Sequence, residues 1–185
     1  MCGVCGRDGG NAWFLEMIWG RSNYVLGLRT AADNESKMEG IYISKYTDAQ
    51  REGLLKVWEE SVLATHHFLT PGDFKEIQAA VHTIDFNAFD VHCLMEGNRV
   101  IGFLGVYEGK LEMLFLSPDF FGKGFGKRLL NFAVQKLKAD KVDVNEDNAK
   151  AVEFYKRCGF DVYERTSKDD QGRDYPLLRM KRTPT

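Results

Sequence analysis

The stretch Leu114-Phe115-Leu116-Ser117-Pro118-Asp119-Phe120-Phe121-Gly122-Lys123-Gly124-Phe125-Gly126-Lys127-Arg128-Leu129-Leu130 passes from a β-type run to a helical run through a glycine-rich turn. Upstream, Val91 to Met95, Val100 to Tyr107 and Leu111 to Leu116 read as strands separated by the tight turns Gly97-Asn98 and Glu108-Gly109. Consecutive strands joined so tightly form an antiparallel meander. Downstream, Gly126, Leu129, Leu130, Ala133, Val134 and Leu137 recur at a helical period, with Lys127, Arg128, Asn131, Gln135 and Lys136 off that stripe. A glycine turn that follows a meander is poorly placed for a Rossmann site, which belongs to a parallel βαβ unit. A Walker loop is absent, because G-x-x-x-x-G-K-[ST] does not occur here.

Working outward, Ile41 to Tyr46 reads as a first strand. Thr47-Asp48-Ala49-Gln50 is a capping box that opens a helix with the stripe Leu54, Leu55, Trp58 and Val62. Thr70-Pro71-Gly72-Asp73 starts a second helix, carrying Phe74, Ile77, Val81 and Ile84. On the C-terminal side Val142-Asp143-Val144 is a short strand and Asn148 to about Cys158 a helix. Phe160 to Thr166 and Tyr175 to Lys181 close the chain as a hairpin around Asp169-Asp170-Gln171-Gly172. The order β-α-α-β-β-β-α-β-α-β-β predicts an α+β fold, one mixed central sheet flanked by helices. Residues 1–39 carry scattered glycines and no clear period, and read as an irregular leader or tail ahead of a domain over residues 40–182.

Bulk properties narrow the partners. Among 185 residues, 25 basic and 27 acidic side chains give a net charge of −2, which does not favour a nucleic-acid polyanion. No run reaches the roughly 18 apolar residues of a membrane helix, and the start lacks a secretory pattern. Cys2 and Cys5 form a Cys-x-x-Cys without a second pair at zinc spacing, so no metal is expected. Reduced cysteines in a cytoplasmic protein are the plain expectation.

The glycine turn has a chemical use. Gly122, Gly124 and Gly126 let successive N–H groups turn toward one point, and the helix N-terminus adds about half a positive charge. Lys123, Lys127 and Arg128 would supply cations at the rim. The set suits a pyrophosphate, although a glycine turn before a helix serves tight packing equally well. A second constellation follows in Asn148-x-x-Ala151-x-x-Phe154-Tyr155-x-x-x-Gly159-Phe160. Asn148 is a good N-cap, and Tyr155 two turns later shares its face.

Together the two segments resemble the GNAT superfamily of acetyl-CoA N-acyltransferases, and most of all its small bacterial members. The superfamily's Gln/Arg-x-x-Gly-x-Gly/Ala aligns with Phe121 to Gly126, with Phe121 departing from the usual Gln/Arg. The later Asn-x-x-Ala-x-x-Phe-Tyr-x-x-x-Gly-Phe is matched in full, and Ala64-Thr65-His66 and Asp169 to Leu178 add to the likeness. The resemblance implies acetyl-CoA as co-substrate in a cleft between two splayed strands. Leu114, Phe115 and Leu116 would hold the pantetheine; Gly122, Lys123, Gly124, Phe125, Gly126 and Lys127 the pyrophosphate; Asn148 and Tyr155 would also face the cofactor.

By the same resemblance the chain transfers acetyl directly to an amine of a small molecule or protein, with Tyr155 donating a proton to the departing sulfur. Asp143, His66 and Glu112 are the candidates for the base. Cys158 reads as a core residue, not an acyl carrier. No nucleic acid or membrane partner is implied, and a monomer or homodimer is expected. A module that binds acetyl-CoA without turnover is the alternative, against which the retention of Asn148 and Tyr155 argues.

Overall fold

The computed structural model describes residues 40–183. The expected leader, with Cys2 and Cys5, lies outside the described residues. One sheet runs through the molecule in the order β1–β2–β3–β4–β5–β7–β6. Its strands are β1 (Ile41–Lys45), β2 (Asp90–Glu96), β3 (Arg99–Tyr107), β4 (Lys110–Leu116), β5 (Lys141–Asn145), β6 (Phe160–Thr166) and β7 (Leu177–Arg182). The helices are α1 (Arg51–Thr65), α2 (Pro71–Val81), α3 (Phe125–Lys136) and α4 (Ala149–Arg157). Every neighbouring pair is antiparallel except β4 and β5. The expected mixed α+β architecture is what the chain adopts.

Local chemistry explains most boundaries, and some differ from expectation. The Thr47 capping box is formed, with Gln50 reaching back to the Thr47 N–H at 2.7 Å, but it opens a 3-10 turn over Asp48–Gln50. The α-helix begins only at Arg51, and its buried stripe takes Val57 and Ser61, while Leu55 is half-buried. Thr70 caps α2 by accepting from the Asp73 N–H at 3.1 Å, with Pro71 in the first turn. Ile84 lies past the end of α2 yet is buried. The last strand starts at Leu177, two residues later than expected. Pro176 has no N–H to give a ladder, and the Tyr175 N–H is already bonded to the Arg173 carbonyl.

The sheet separates two apolar cores. On one face α3 and α4 bury Leu129, Leu130, Ala133, Val152 and Tyr155 against Leu104, Leu111, Val142 and Met180. On the other, α1 and α2 bury Leu54, Trp58, Val62 and Ile77 against Val91, Phe103 and Met113. Leu111 belongs to the first core and Met113 to the second. Two residues apart, they should share a face. A bulge breaks the alternation: Gly105 pairs with Met113 and Val106 with Leu111, leaving Glu112 without a partner on β3. That single extra residue sets where Glu112 points.

Beside the bulge the sheet opens. The parallel pairing of β4 and β5 covers only Lys110 with Lys141 and Leu111 with Val142. From Glu112 onward β4 has β3 on one side and, among the described residues, no strand on the other. The Ser117 N–H bonds the Ile101 carbonyl on β3 at 2.8 Å. Since backbone groups alternate sides along a strand, the N–H groups of Leu116 and Leu114 turn away from β3, into the gap.

Candidate active site

Two elements deliver the glycine turn to the end of this gap. A 3-10 turn at Pro118–Phe120 leaves β4, and Gly124, at φ +85°, caps α3. Gly122 also has positive φ, +72°. The first amide bond of α3 runs from the Arg128 N–H to the Gly124 carbonyl. Among the described residues, the N–H groups from Gly122 to Lys127 have no protein acceptor. Such a run at a helix N-terminus is a cradle for an anion, which the donors present fit. Lys123 lies over the Phe120 ring at 5.3 Å, while Phe121 and Lys127 are exposed. Arg128 is a correction: it is no rim cation, because its half-buried guanidinium donates to the Ile41 carbonyl on β1 at 3.2 Å. The Phe125 side chain is buried, leaving only its backbone to face an anion.

Asn148 caps α4, its Oδ1 accepting from the Ala151 N–H at 3.2 Å. Tyr155, two turns on, is buried against Phe154 and Phe160, with ring centroids 5.1 and 5.8 Å apart. Burial, and secondarily the nearby Cys158, holds its hydroxyl well above the ordinary tyrosine range. The group therefore stays protonated at any working pH.

On the opposite face of the sheet a cavity of about 190 Å³ opens between α1, α2, β4, β5 and the β6–β7 connection. Its wall is apolar where Trp58, Val62 and Phe115 stand, and acidic where Glu112, Asp143, Asp169 and Asp170 stand. Three of the four expected catalytic side chains meet here: His66, Glu112 and Asp143. Tyr155 does not line it and belongs to the other core.

The three differ in their surroundings. Asp143 accepts ion pairs from Lys110 Nζ at 2.8 Å and Arg179 Nη1 at 3.0 Å. His66 closes the end of α1, with Nδ1 2.8 Å from the Thr65 hydroxyl. Burial, helped by neighbouring His67, lowers its imidazole to about 4, so it is neutral at pH 7. Glu112 has Lys110 Nζ 3.4 Å from Oε2, while Oε1 is buried without a hydrogen-bond partner among the described residues. Burial raises this carboxyl to about 7 against the opposing pull of Lys110.

Some residues that shape the site were not evident in the sequence. Lys110 holds Glu112 and Asp143 together; burial alone would lower its ammonium, and the two carboxylates outweigh that and raise it. Arg179 spans from Asp143 to Asp170, the latter at 2.6 Å. The Tyr175 hydroxyl donates to Asp73 Oδ2 at 2.5 Å, tying the β6–β7 connection to the start of α2. Alternation on β7 alone would have put Arg179 on the face of its neighbour Asp143, but nothing in the sequence showed that β5 and β7 are neighbours.

The described residues thus bring together an N–H cradle at α3, an open strand edge on β4 and a carboxylate-lined cavity across the sheet. The chain belongs to the acetyltransferase (GNAT) family, whose sequence pattern matches residues 49–160. It is an N-acetyltransferase that moves an acetyl group from acetyl-CoA to an amine. Over 140 residues it is 34% identical to the peptidyl-lysine N-acetyltransferase YjaB of Salmonella typhimurium, covering 76% of this chain and 97% of that one. YjaB of Escherichia coli is also 34% identical over 140 residues, covering 76% of this chain and 95% of that one. The solution structure of apo-form YjaB from Escherichia coli has a TM-score of 0.71 to this chain at 32% identity, covering 78% and 99% of the two chains. Among the described residues no helix is long and apolar enough to cross a membrane, and no cluster of His, Cys, Asp and Glu is arranged to hold a metal ion.

Proposed function

We propose that the acceptor is the ε-amine of a lysine in a peptide or protein, with Glu112 as its proton acceptor and Tyr155 as proton donor to the leaving sulfur. The reading of the acceptor is supported by the two peptidyl-lysine acetyltransferases at 34% identity. It is supported also by a cavity whose apolar wall suits an aliphatic arm and whose carboxylates suit its ammonium. The observation that carries the reading is Glu112 on the wall of that cavity, its carboxyl raised to about 7 by burial. A base works best when its pKa lies near the working pH. At about 7, Glu112 meets that condition, whereas His66 at about 4 is a weak base.

In this scheme Glu112 takes a proton from the ammonium. The freed lone pair then forms the new N–C bond at the thioester carbonyl. The Leu114 or Leu116 N–H, turned into the gap, holds the developing oxyanion; one such donor contributes about 3 kcal/mol. As the C–S bond breaks, Tyr155 protonates the thiolate, and the proton that the acetylated nitrogen then loses restores the Tyr155 hydroxyl. Gly122 to Lys127 hold the pyrophosphate through their N–H groups, and the loss of the usual Gln/Arg at Phe121 removes one side-chain donor. Asn148 orients α4 beneath Tyr155. Free Cys93 and Cys158 fit work in the reducing cytoplasm, as a monomer or homodimer.

The test is thiol release from acetyl-CoA with lysyl peptides. Glu112→Gln should lower kcat/KM by about 10²-fold or more, and Tyr155→Phe at least tenfold. Unchanged rates in either variant would remove that residue from its role.

A further inference from the structure

Glu112 is the residue that the bulge leaves without a partner on β3, and it lies just past the last pairing of β4 with β5. Lys110, two positions earlier, is fixed on both sides, opposite Tyr107 on β3 and Lys141 on β5. Its side chain supplies the hold that the backbone of Glu112 lacks. Lys110 Nζ stands 3.4 Å from Glu112 Oε2 and 2.8 Å from Asp143 Oδ2. Asp143 is paired in turn with Arg179 at 3.0 Å, and Arg179 with Asp170 at 2.6 Å. The ammonium that meets Glu112 is thus itself anchored, by charges on β5, β7 and the β6–β7 connection. Among the described residues Lys110 is the one lysine or arginine on the cavity wall. Solvent screens the pair little, since the Glu112 side chain is 9% exposed and that of Lys110 26%.

We propose that Lys110 is a positioning residue, which acts through Glu112 by holding its carboxylate on the cavity wall in the charged form that accepts the proton of the amine. The inference rests on Glu112 being the base. The pairing also disarms Lys110 as a rival nucleophile: burial favours its neutral form, but Asp143 and Glu112 outweigh burial and keep the ammonium charged.

The groups around Glu112 divide by sign. Burial acts most strongly against its carboxylate; Lys110 opposes burial, while Asp143 of β5 and Asp170 of the β6–β7 connection add to it. The wall further carries His66 of α1, neutral at pH 7, and Asp169 and Tyr175 of that connection, whereas Ile77 of α2 has no charge. Removing the charge of Lys110 and removing that of Asp143 must then move Glu112 in opposite directions. A mere loss of packing at the two positions would not.

The experiment is the pH dependence of kcat/KM with Nα-acetyl-lysine methylamide, whose wild-type limb should rise through about 7. Lys110→Met keeps an aliphatic stem without the charge, and the limb should move up by at least about one pH unit, with the acetyl-CoA KM unchanged. Asp143→Asn keeps the shape and removes the opposing charge, and the limb should move down by about half a unit or more. If Lys110→Met does not fold, Asp143→Asn decides alone. A limb that Lys110→Met leaves in place or lowers, or that Asp143→Asn fails to lower, overturns the inference while Glu112 stays the base. Glu112→Gln tests that base separately. A limb that survives in it, or a wild type with no limb near 7, removes Glu112 from its role and this inference with it.

Discussion

Burial raises the Glu112 carboxyl from 4.5 to about 7, so the folded chain binds a proton there more tightly than the unfolded chain does. Between those two values the folded state holds more protons, and stability falls as pH rises. At about 1.4 kcal/mol per pH unit, the cost above pH 7 is on the order of 3 kcal/mol. Glu112→Gln should therefore melt roughly 5–10 °C higher than wild type at pH 8, with the advantage gone near pH 4. The same variant should lose the limb of the pH–rate profile that rises through about 7. Melting curves at the two pH values check the first half, and equal melting at both would remove the assigned shift. His66 runs oppositely: depressed to about 4, it weakens the fold as pH falls from 6.5 toward 4. As a weak base it should matter less, and His66→Gln should cost less than tenfold in kcat/KM. In the sequence Asp143, His66 and Glu112 are alternative candidates, with Asp143 the first choice and Glu112 the last. What separates them is burial and ion partners, including an Arg179 that stands 36 positions from Asp143.

Among elements, the start of α3 gives two glycines opposite consequences. Gly124 sits at φ +85°, and a Cβ there would meet nothing within 4 Å. Its replacement by Ala costs backbone strain alone, about 1–2 kcal/mol, and tilts the cradle. Gly124→Ala should melt lower and raise the acetyl-CoA KM about tenfold. Gly126 is helical, and a Cβ would rest 3.7 Å from the Phe154 ring, an ordinary contact. Gly126→Ala should gain about 0.5–1 kcal/mol of helix propensity and leave the acetyl-CoA KM within threefold. Thermal melts and steady-state kinetics separate the two, and matched behaviour would contradict the assigned geometry. These elements were legible because their signals are local: Gly97-Asn98 and Glu108-Gly109 fix the meander, the 3.6 period fixes α3, and Asn148 fixes the start of α4. The bulge at Glu112 was not legible. It depends on how β4 registers with β3, a tertiary choice that leaves no mark at the residue itself. Leu177 was missed as the start of β7 because Tyr175 reads as a strand residue, while its hydroxyl is committed to Asp73 on α2.

Across the whole molecule, the sheet is continuous up to Leu111 and Val142 and open beyond them. The half carrying β1 to β4 and the half carrying β5 to β7 thus meet along a short seam, with the cradle of α3 at its open end. A ligand laid along β4 would complete the sheet as an added strand, and it would stabilise the fold by mass action, by about 2.7 kcal/mol at a hundredfold excess over Kd. Stabilisation alone does not prove strand addition, since any tight ligand gives it. Amide exchange resolves the two. The N–H groups of Leu114 and Leu116 face the gap, whereas the alternating Phe115 N–H faces β3. Saturating acetyl-CoA should slow exchange at Leu114, Leu116 and the amides from Gly122 to Lys127 well beyond the slowing at Phe115, which already has a strand beside it. Uniform slowing along β4 would mean that the ligand only stabilises the whole fold. No slowing at Leu114 and Leu116 would place the cofactor outside the gap, and the N–H assigned to the oxyanion would then have to come from elsewhere.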